Sequence, residues 1–179
     1  MTQQALDRPR CSVFIATSVD GYIARTDGAV DWLDIVAQPG EDYGYAAFFD
    51  SVEALVLGRK TYDTVLTQGT WPYGGKRCIV LTHRRPTPLH GEEFREGPPR
   101  ALLDALHLEG VRHVYVDGGD VIRQFLAAGL IDHVTLSIVP MLLGAGIPLF
   151  GASGVEQRWT LEDVRSYPSG LIQLRYRVL

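Results

Sequence analysis

The sequence predicts an α/β domain: a mixed, mainly parallel sheet with helices on both faces and a C-terminal antiparallel hairpin. Three observations carry this. Short, nearly unbroken apolar runs alternate with segments of helical spacing, as expected for strands buried on both faces. Glycine stands at two strand-to-helix junctions, Gly58 and Gly118-Gly119. The last two β-like segments flank Tyr167-Pro168-Ser169-Gly170, which reads as a turn.

Each element has a local reason. Cys11–Ala16 is a run of β-formers stopped by the turn pair Asp20-Gly21. A loop containing Asp27-Gly28 follows, then an aromatic segment from Trp32. Within Asp42–Asp50, Tyr45, Phe48 and Phe49 share one helical face. Ala54–Gly58 is a second buried strand, and helix-like sequence starts directly after it. Arg77–Thr82 is a third strand, ending in His83-Arg84-Arg85-Pro86. Residues 86–99 are proline-rich and are expected to hold a loop and one edge strand. Pro98-Pro99 opens a helix over Leu102, Leu103 and Leu106, since first-turn amides need no intrahelical partner. His113–Asp117 is a strand; the helix after it buries Val121, Ile122, Phe125 and Leu126 as one stripe and ends at Gly129. Ile131–Val139 and the segments near 158–165 and 171–178 complete the sheet.

Composition narrows the function. The chain has 179 residues, 46% hydrophobic and 21% charged, with a formal net charge of −4. That balance excludes a disordered chain and argues against a nucleic-acid surface, which needs clustered positive charge. Two distant cysteines, Cys11 and Cys78, match no zinc spacing and read as strand fillers, which fits a cytoplasmic setting. Residues 1–10 read as a polar tail without a secretory apolar stretch, and 11–179 as one domain. The uncharged stretch 134–150 is not expected to cross a membrane: Pro140, Gly144, Gly146 and Pro148 break any helix there, so a buried strand and an irregular loop are expected.

In α/β sheets ligands bind beyond the carboxyl ends of the strands, so the turns after Gly58, Thr82 and Gly118 are the ones to inspect. A helix start presents unpaired amides and partial positive charge, and glycine lets a phosphate approach the backbone. Gly58-Arg59-Lys60-Thr61 adds two cations and a hydroxyl to one such start; Gly118-Gly119-Asp120 makes a second. Together they suggest a dinucleotide site, against the plainer reading of tight strand–helix packing. At the third strand end, Thr82-His83-Arg84-Arg85 supplies cations with no acid adjacent in sequence, which favours the 2′-phosphate of NADP(H). Gly144-Ala145-Gly146 lacks the third glycine of the dinucleotide fingerprint, 69–77 is out of register for a phosphate-binding loop, and no histidines have metal-ligand spacing.

Several motifs fall in the order seen in dihydrofolate reductase-like proteins: Ser18-Val19-Asp20-Gly21-Tyr22-Ile23-Ala24, Gly58-Arg59-Lys60-Thr61-Tyr62, Val80-Leu81-Thr82, Val116-Asp117-Gly118-Gly119 and the stretch from Leu130 to Phe150. From about residue 11 onward the chain resembles that superfamily, and within it the bacterial riboflavin-biosynthesis reductases (RibD C-terminal type). The resemblance implies the dihydrofolate reductase-like fold, a homodimer, and an NADPH-dependent reductase acting on a small heterocycle, imine or carbonyl. It implies that Gly58, Arg59, Lys60, Thr61, Thr82, His83 and Arg84 hold the adenosine phosphate end. Gly118, Gly119, Asp120 and Val121 would cradle the pyrophosphate, with Ala16, Thr17 and Ile23 bordering the nicotinamide. Asp20 would contact substrate or relay a proton, or serve only its turn; Asp27, Trp32 and Pro140 would stand at the substrate. One departure is notable. The acid that grips the pterin in true dihydrofolate reductases falls, by counting from Trp32, on Ala37, with Asp34 as the shifted alternative, so folate is not the expected substrate. A non-catalytic NADP-binding protein, or a homodimeric interaction module using residues 134–150, stands as the alternative. The riboflavin role itself is not assured, since no deaminase domain accompanies this chain.

Overall fold

The computed structural model describes residues 7–151 and 154–179. Their strands are β1 (Arg10–Thr17), β2 (Tyr22–Ala24), β3 (Ala54–Gly58), β4 (Arg77–Leu81), β5 (Glu93–Arg95), β6 (His113–Asp117), β7 (His133–Ile138), β8 (Ile147–Pro148), β9 (Trp159–Ser166) and β10 (Ile172–Val178). Four α-helices intervene: α1 (Tyr45–Ser51), α2 (Arg59–Thr67), α3 (Pro99–Leu108) and α4 (Gly119–Ala127). An eight-stranded sheet runs β5-β4-β3-β6-β1-β7-β10-β9. It is parallel from β5 to β7 and turns antiparallel at β10 and β9.

The pleat decides which helix covers which face. On β3, Ala54 and Val56 point into one core and Leu55 and Leu57 into the other; on β6, Val114 and Val116 oppose Tyr115 in the same way. The first core is closed by Leu102, Leu103 and Leu106 of α3 and by Val121, Ile122, Phe125 and Leu126 of α4. The second is closed by Tyr62 and Val65 of α2 with Tyr45, Phe48 and Phe49 of α1. Helices thus cover both faces, as the alternating pattern requires. At the outer edge β5 carries Glu93 and Arg95, and these join Arg77 and Glu109 in an ion-pair network that blunts the edge against further pairing.

Two features depart from the sequence reading. The loops around 20–32 and 140–150 meet in a small ribbon, β2 against β8. Gly146 makes this possible, because a Cβ there would stand 2.4 Å from the Ala24 carbonyl oxygen. The aromatic segment from Trp32 belongs to a 3-10 turn over Asp31–Val36. The uncharged 134–150 stretch begins, as expected, with a strand and continues as a loop. Its strand, β7, is flanked on both sides by β1 and β10, and the large apolar side chains it leaves well exposed are Leu142 and Phe150 in the loop. No helix among the described residues is long and apolar enough to cross a membrane.

Residues 1–6 of the expected tail lie outside the described residues. Its remaining residues are tied to the body: Arg8 makes a two-pronged bond to Asp132, Asp7 pairs with Arg100, and Arg10 already belongs to β1.

Phe125 is fully buried where α4 meets the sheet. Phe125→Ala should therefore cost about 3–5 kcal/mol by urea unfolding, whereas Leu142→Ala, at a side chain 71% exposed, should stay within about 0.5 kcal/mol.

Candidate functional site

Strands β3 and β6 are neighbours and parallel, so α2 and α4 begin side by side at the same sheet edge. Gly58 and Gly118 precede the two helices, and neither helix start has a side-chain cap on its amides. The junctions touch. Gly118 has φ +87°, and a Cβ added there would stand 2.3 Å from Thr61 Oγ1; one on Gly119 would stand 2.7 Å from Ile23 Cδ1. Two helix starts without side-chain caps therefore open side by side into one hollow, where the missing Cβ atoms let Thr61 and Ile23 pack against the glycines. That hollow is part of a cleft of about 1330 Å³.

The charged groups gather at this end. Lys60 Nζ of α2 reaches Asp120 Oδ2 of α4 at 3.3 Å, and Arg123 pairs with the same carboxylate while also donating to the Pro148 carbonyl at 2.6 Å. Arg59 Nε bonds Asp63 Oδ1 one turn along at 2.7 Å. At the end of β4, Thr82 and His83 line the cleft, and the Arg84 amide donates to Thr82 Oγ1. Here the structure amends the sequence reading. Glu96, just past β5, stands 3.4 Å from His83 and 3.5 Å from Arg85, so the basic turn does have an acid beside it. The acid arrives through the β4–β5 pairing and is invisible from residue order.

The other end of the cleft is aromatic. Phe14 of β1, Tyr45 of α1, Tyr115 of β6 and Tyr73 line it, and Phe48 backs Phe14 and Tyr115 at centroid distances of 5.0 Å. Tyr115 donates its hydroxyl to the Phe14 carbonyl at 3.0 Å. On the floor lies Asp117, the last residue of β6. Its Oδ1 accepts the Gly118 amide at 2.8 Å and its Oδ2 the Tyr73 hydroxyl at 3.3 Å. Burial outweighs these bonds and raises the Asp117 pKa above the ordinary aspartate value. Burial, with Asp117 nearby, pushes the Tyr45 hydroxyl up to about 12. A carboxyl that tends to keep its proton, set in a cleft, is a candidate acid. Sequence reasoning valued Val116-Asp117-Gly118-Gly119 only for its glycines, although an acid at a strand end on the ligand-binding edge was in view.

Of the residues expected at the site, Ala16, Ile23, Asp27, Gly58, Arg59, Lys60, Thr61, Thr82, His83, Gly118, Gly119, Asp120 and Val121 all line the cleft. Five do not. Thr17 is buried within β1, and Arg84 lies outside the lining. Trp32 is enclosed by Val36, Val139 and Leu171, so it acts as a core side chain; its indole Nε1 finds no acceptor among the described residues. Pro140 packs beside Gly170 at the hairpin turn. Asp20 is spent on architecture. Its carboxylate accepts Ser18 Oγ at 2.6 Å and the amides of Leu143 and Gly144 at 3.1 and 2.7 Å. The Ser18 bond, chiefly, holds its pKa below the usual value, which suits a loop anchor and not a proton donor.

A family model described as the RibD C-terminal domain matches residues 9–173. The uncharacterized protein YwjB of Bacillus subtilis (strain 168) is 33% identical over 168 residues, spanning 92% of this chain and 95% of its own. A solved structure described as a putative riboflavin biosynthesis protein from Shewanella sp. PV-4 superposes with a TM-score of 0.89 at 35% identity, covering 95% of this chain and 99% of that one. The Thermotoga maritima diaminohydroxyphosphoribosylaminopyrimidine deaminase/5-amino-6-(5-phosphoribosylamino)uracil reductase shares the fold, with a TM-score of 0.73 at 17% identity. This chain covers 57% of that longer protein.

The Asp117 environment has a consequence for stability. A carboxyl whose folded pKa is raised stabilises the fold while protonated and loses that contribution as pH climbs through the folded pKa. Asp117→Asn keeps an acceptor for Gly118 and Tyr73 without the titration. Its urea midpoint should match wild type at low pH, where both states keep the carboxyl protonated, and exceed it as pH rises past the ordinary aspartate range.

Proposed function

The chain belongs to the RibD C-terminal domain family, and from that premise we propose that it is an NADPH-dependent reductase of a small heterocyclic, imine or carbonyl substrate. The observation that carries this reading is the meeting of two glycine-bearing helix starts in one cleft. A dinucleotide's phosphates need unpaired amides and close backbone approach, and Gly58, Gly118 and Gly119 supply both next to Lys60 and Arg123. In this arrangement the amides opening α2 and α4 bind the pyrophosphate and adenosine phosphate end. Arg59 and His83 extend toward the 2′-phosphate, and Ala16 and Ile23 flank the nicotinamide. The cofactor supplies a hydride from its carbon 4 when bound.

The protein's own contributions are alignment, exclusion of water and the proton. Phe14, Tyr45, Tyr73 and Tyr115 enclose the space where the acceptor must lie. Asp117, whose pKa burial raises, would supply the proton at the floor of that space, and its hydrogen bonds from Gly118 and Tyr73 fix the side chain's direction. Reduction adds hydride to an unsaturated carbon and this proton to the adjacent atom, and the carboxylate is then reprotonated from solvent.

Fluorescence titration with NADPH and NADH tests the cofactor half. Arg59→Ala should weaken NADPH by about tenfold or more, the worth of a charge-assisted bond, and NADH little. Glu96→Gln should favour NADPH further, because it removes an acid facing the basic turn. Equal losses for both cofactors would refute the 2′-phosphate assignment, and binding without turnover on any carbonyl or pyrimidine would leave a nucleotide-binding protein only.

A further inference from the structure

We propose that the substrate end of the cleft takes a flat heterocycle that carries no phosphate, its polar edge set against Asp117. This rests on the reductase reading and adds the substrate class. The first observation is one of charge. From Thr26 to Gly58, the chain that builds the substrate wall through Asp27, Val30, Leu33 and Tyr45 has no lysine, arginine or histidine; its only charges are acids, from Asp27 to Glu53.

The cations nearest that wall are engaged elsewhere. Arg25 bonds Asp31 through two nitrogens, at 2.7 and 2.9 Å, and does not line the cleft. Lys76 donates to the carbonyls of Asp50 and Val52 and lies over Phe49. The arginines and lysine that do line the cleft, Arg59, Lys60 and Arg123, stand on the two helices whose first turns face the nucleotide's phosphates.

The nearest helix start offers no substitute. The start of α1, the helix that borders this end, is occupied by its own acid: Asp42 accepts from the amides of Gly44 and Ala46, both at 2.9 Å. A substrate phosphate would bring nearly two negative charges to a wall with Asp27 at its rim, and this wall, from Thr26 to Gly58, carries no lysine, arginine or histidine to neutralise it. What the end does offer is ring faces. Phe14, Tyr45 and Tyr115 present apolar ring surface, which suits an uncharged planar ring.

The test uses the full chain saturated with NADP+, after NADPH binding has been established separately by fluorescence quenching. Calorimetric titrations then compare matched pairs: dihydroneopterin with its 3′-phosphate, riboflavin with FMN, and uridine with UMP. The unphosphorylated member of at least one pair should bind about tenfold or more tightly than its phosphate ester. Asp27→Lys should narrow that ratio by bringing a cation to the rim. Tighter binding of the phosphorylated members, or no binding of any unphosphorylated member, overturns the proposal. Failure of NADPH itself to bind instead removes the reductase reading on which it stands.

Discussion

The absence of three Cβ atoms shapes the cleft. Gly58, Gly118 and Gly119 lie where two parallel neighbouring strands hand over to two helices. A methyl group at either of the last two would strike Thr61 or Ile23. Because β3 and β6 are adjacent, the helix starts are adjacent too, and their unpaired amides add rather than act apart. The sheet order fixes the rest of the cavity. β1 beside β6 brings Phe14 and Ala16 to the same edge, and β4 beside β3 brings Thr82 and His83.

The cleft is electrically lopsided. Its cations belong to α2, α4 and the turn after β4, and its aromatic rings and Asp117 belong to β1, β6, α1 and the segment before β4 that carries Tyr73. That division is what a reductase joining a polyanionic cofactor to an uncharged acceptor requires, since each end repels or ignores the other's ligand. Asp120 and Glu96 temper the basic end. Asp120 draws Lys60 and Arg123 together across the gap between helices, so the cations are already in place before any ligand arrives.

Much of this was legible in the chain itself. Strands such as Ala54–Gly58 and His113–Asp117 declare themselves because burial on both faces forbids polar interruption, and the stripe Val121, Ile122, Phe125, Leu126 can only be a helix face. The glycine junctions were legible for the same local reason. What escaped depends on contacts between distant residues. The β2–β8 ribbon joins segments of two or three residues, too short for periodicity to speak. Glu96 meets His83 only because β5 lies beside β4. Asp20 and Trp32 have the residue types of a site but the neighbours of a scaffold: one is consumed by Ser18, Leu143 and Gly144, the other by the core. Asp117 is the reverse, a residue that reads as turn chemistry until the surrounding tyrosines show how little water reaches it.

The central claim is that the first turns of α2 and α4 together grip a dinucleotide. Amide hydrogen exchange with and without NADPH tests it at the residues concerned. The account predicts slowed exchange at both 59–61 and 119–121 and no change at 105–108, the end of α3, which does not line the cleft. Protection at neither turn, or at α3 instead, would contradict it.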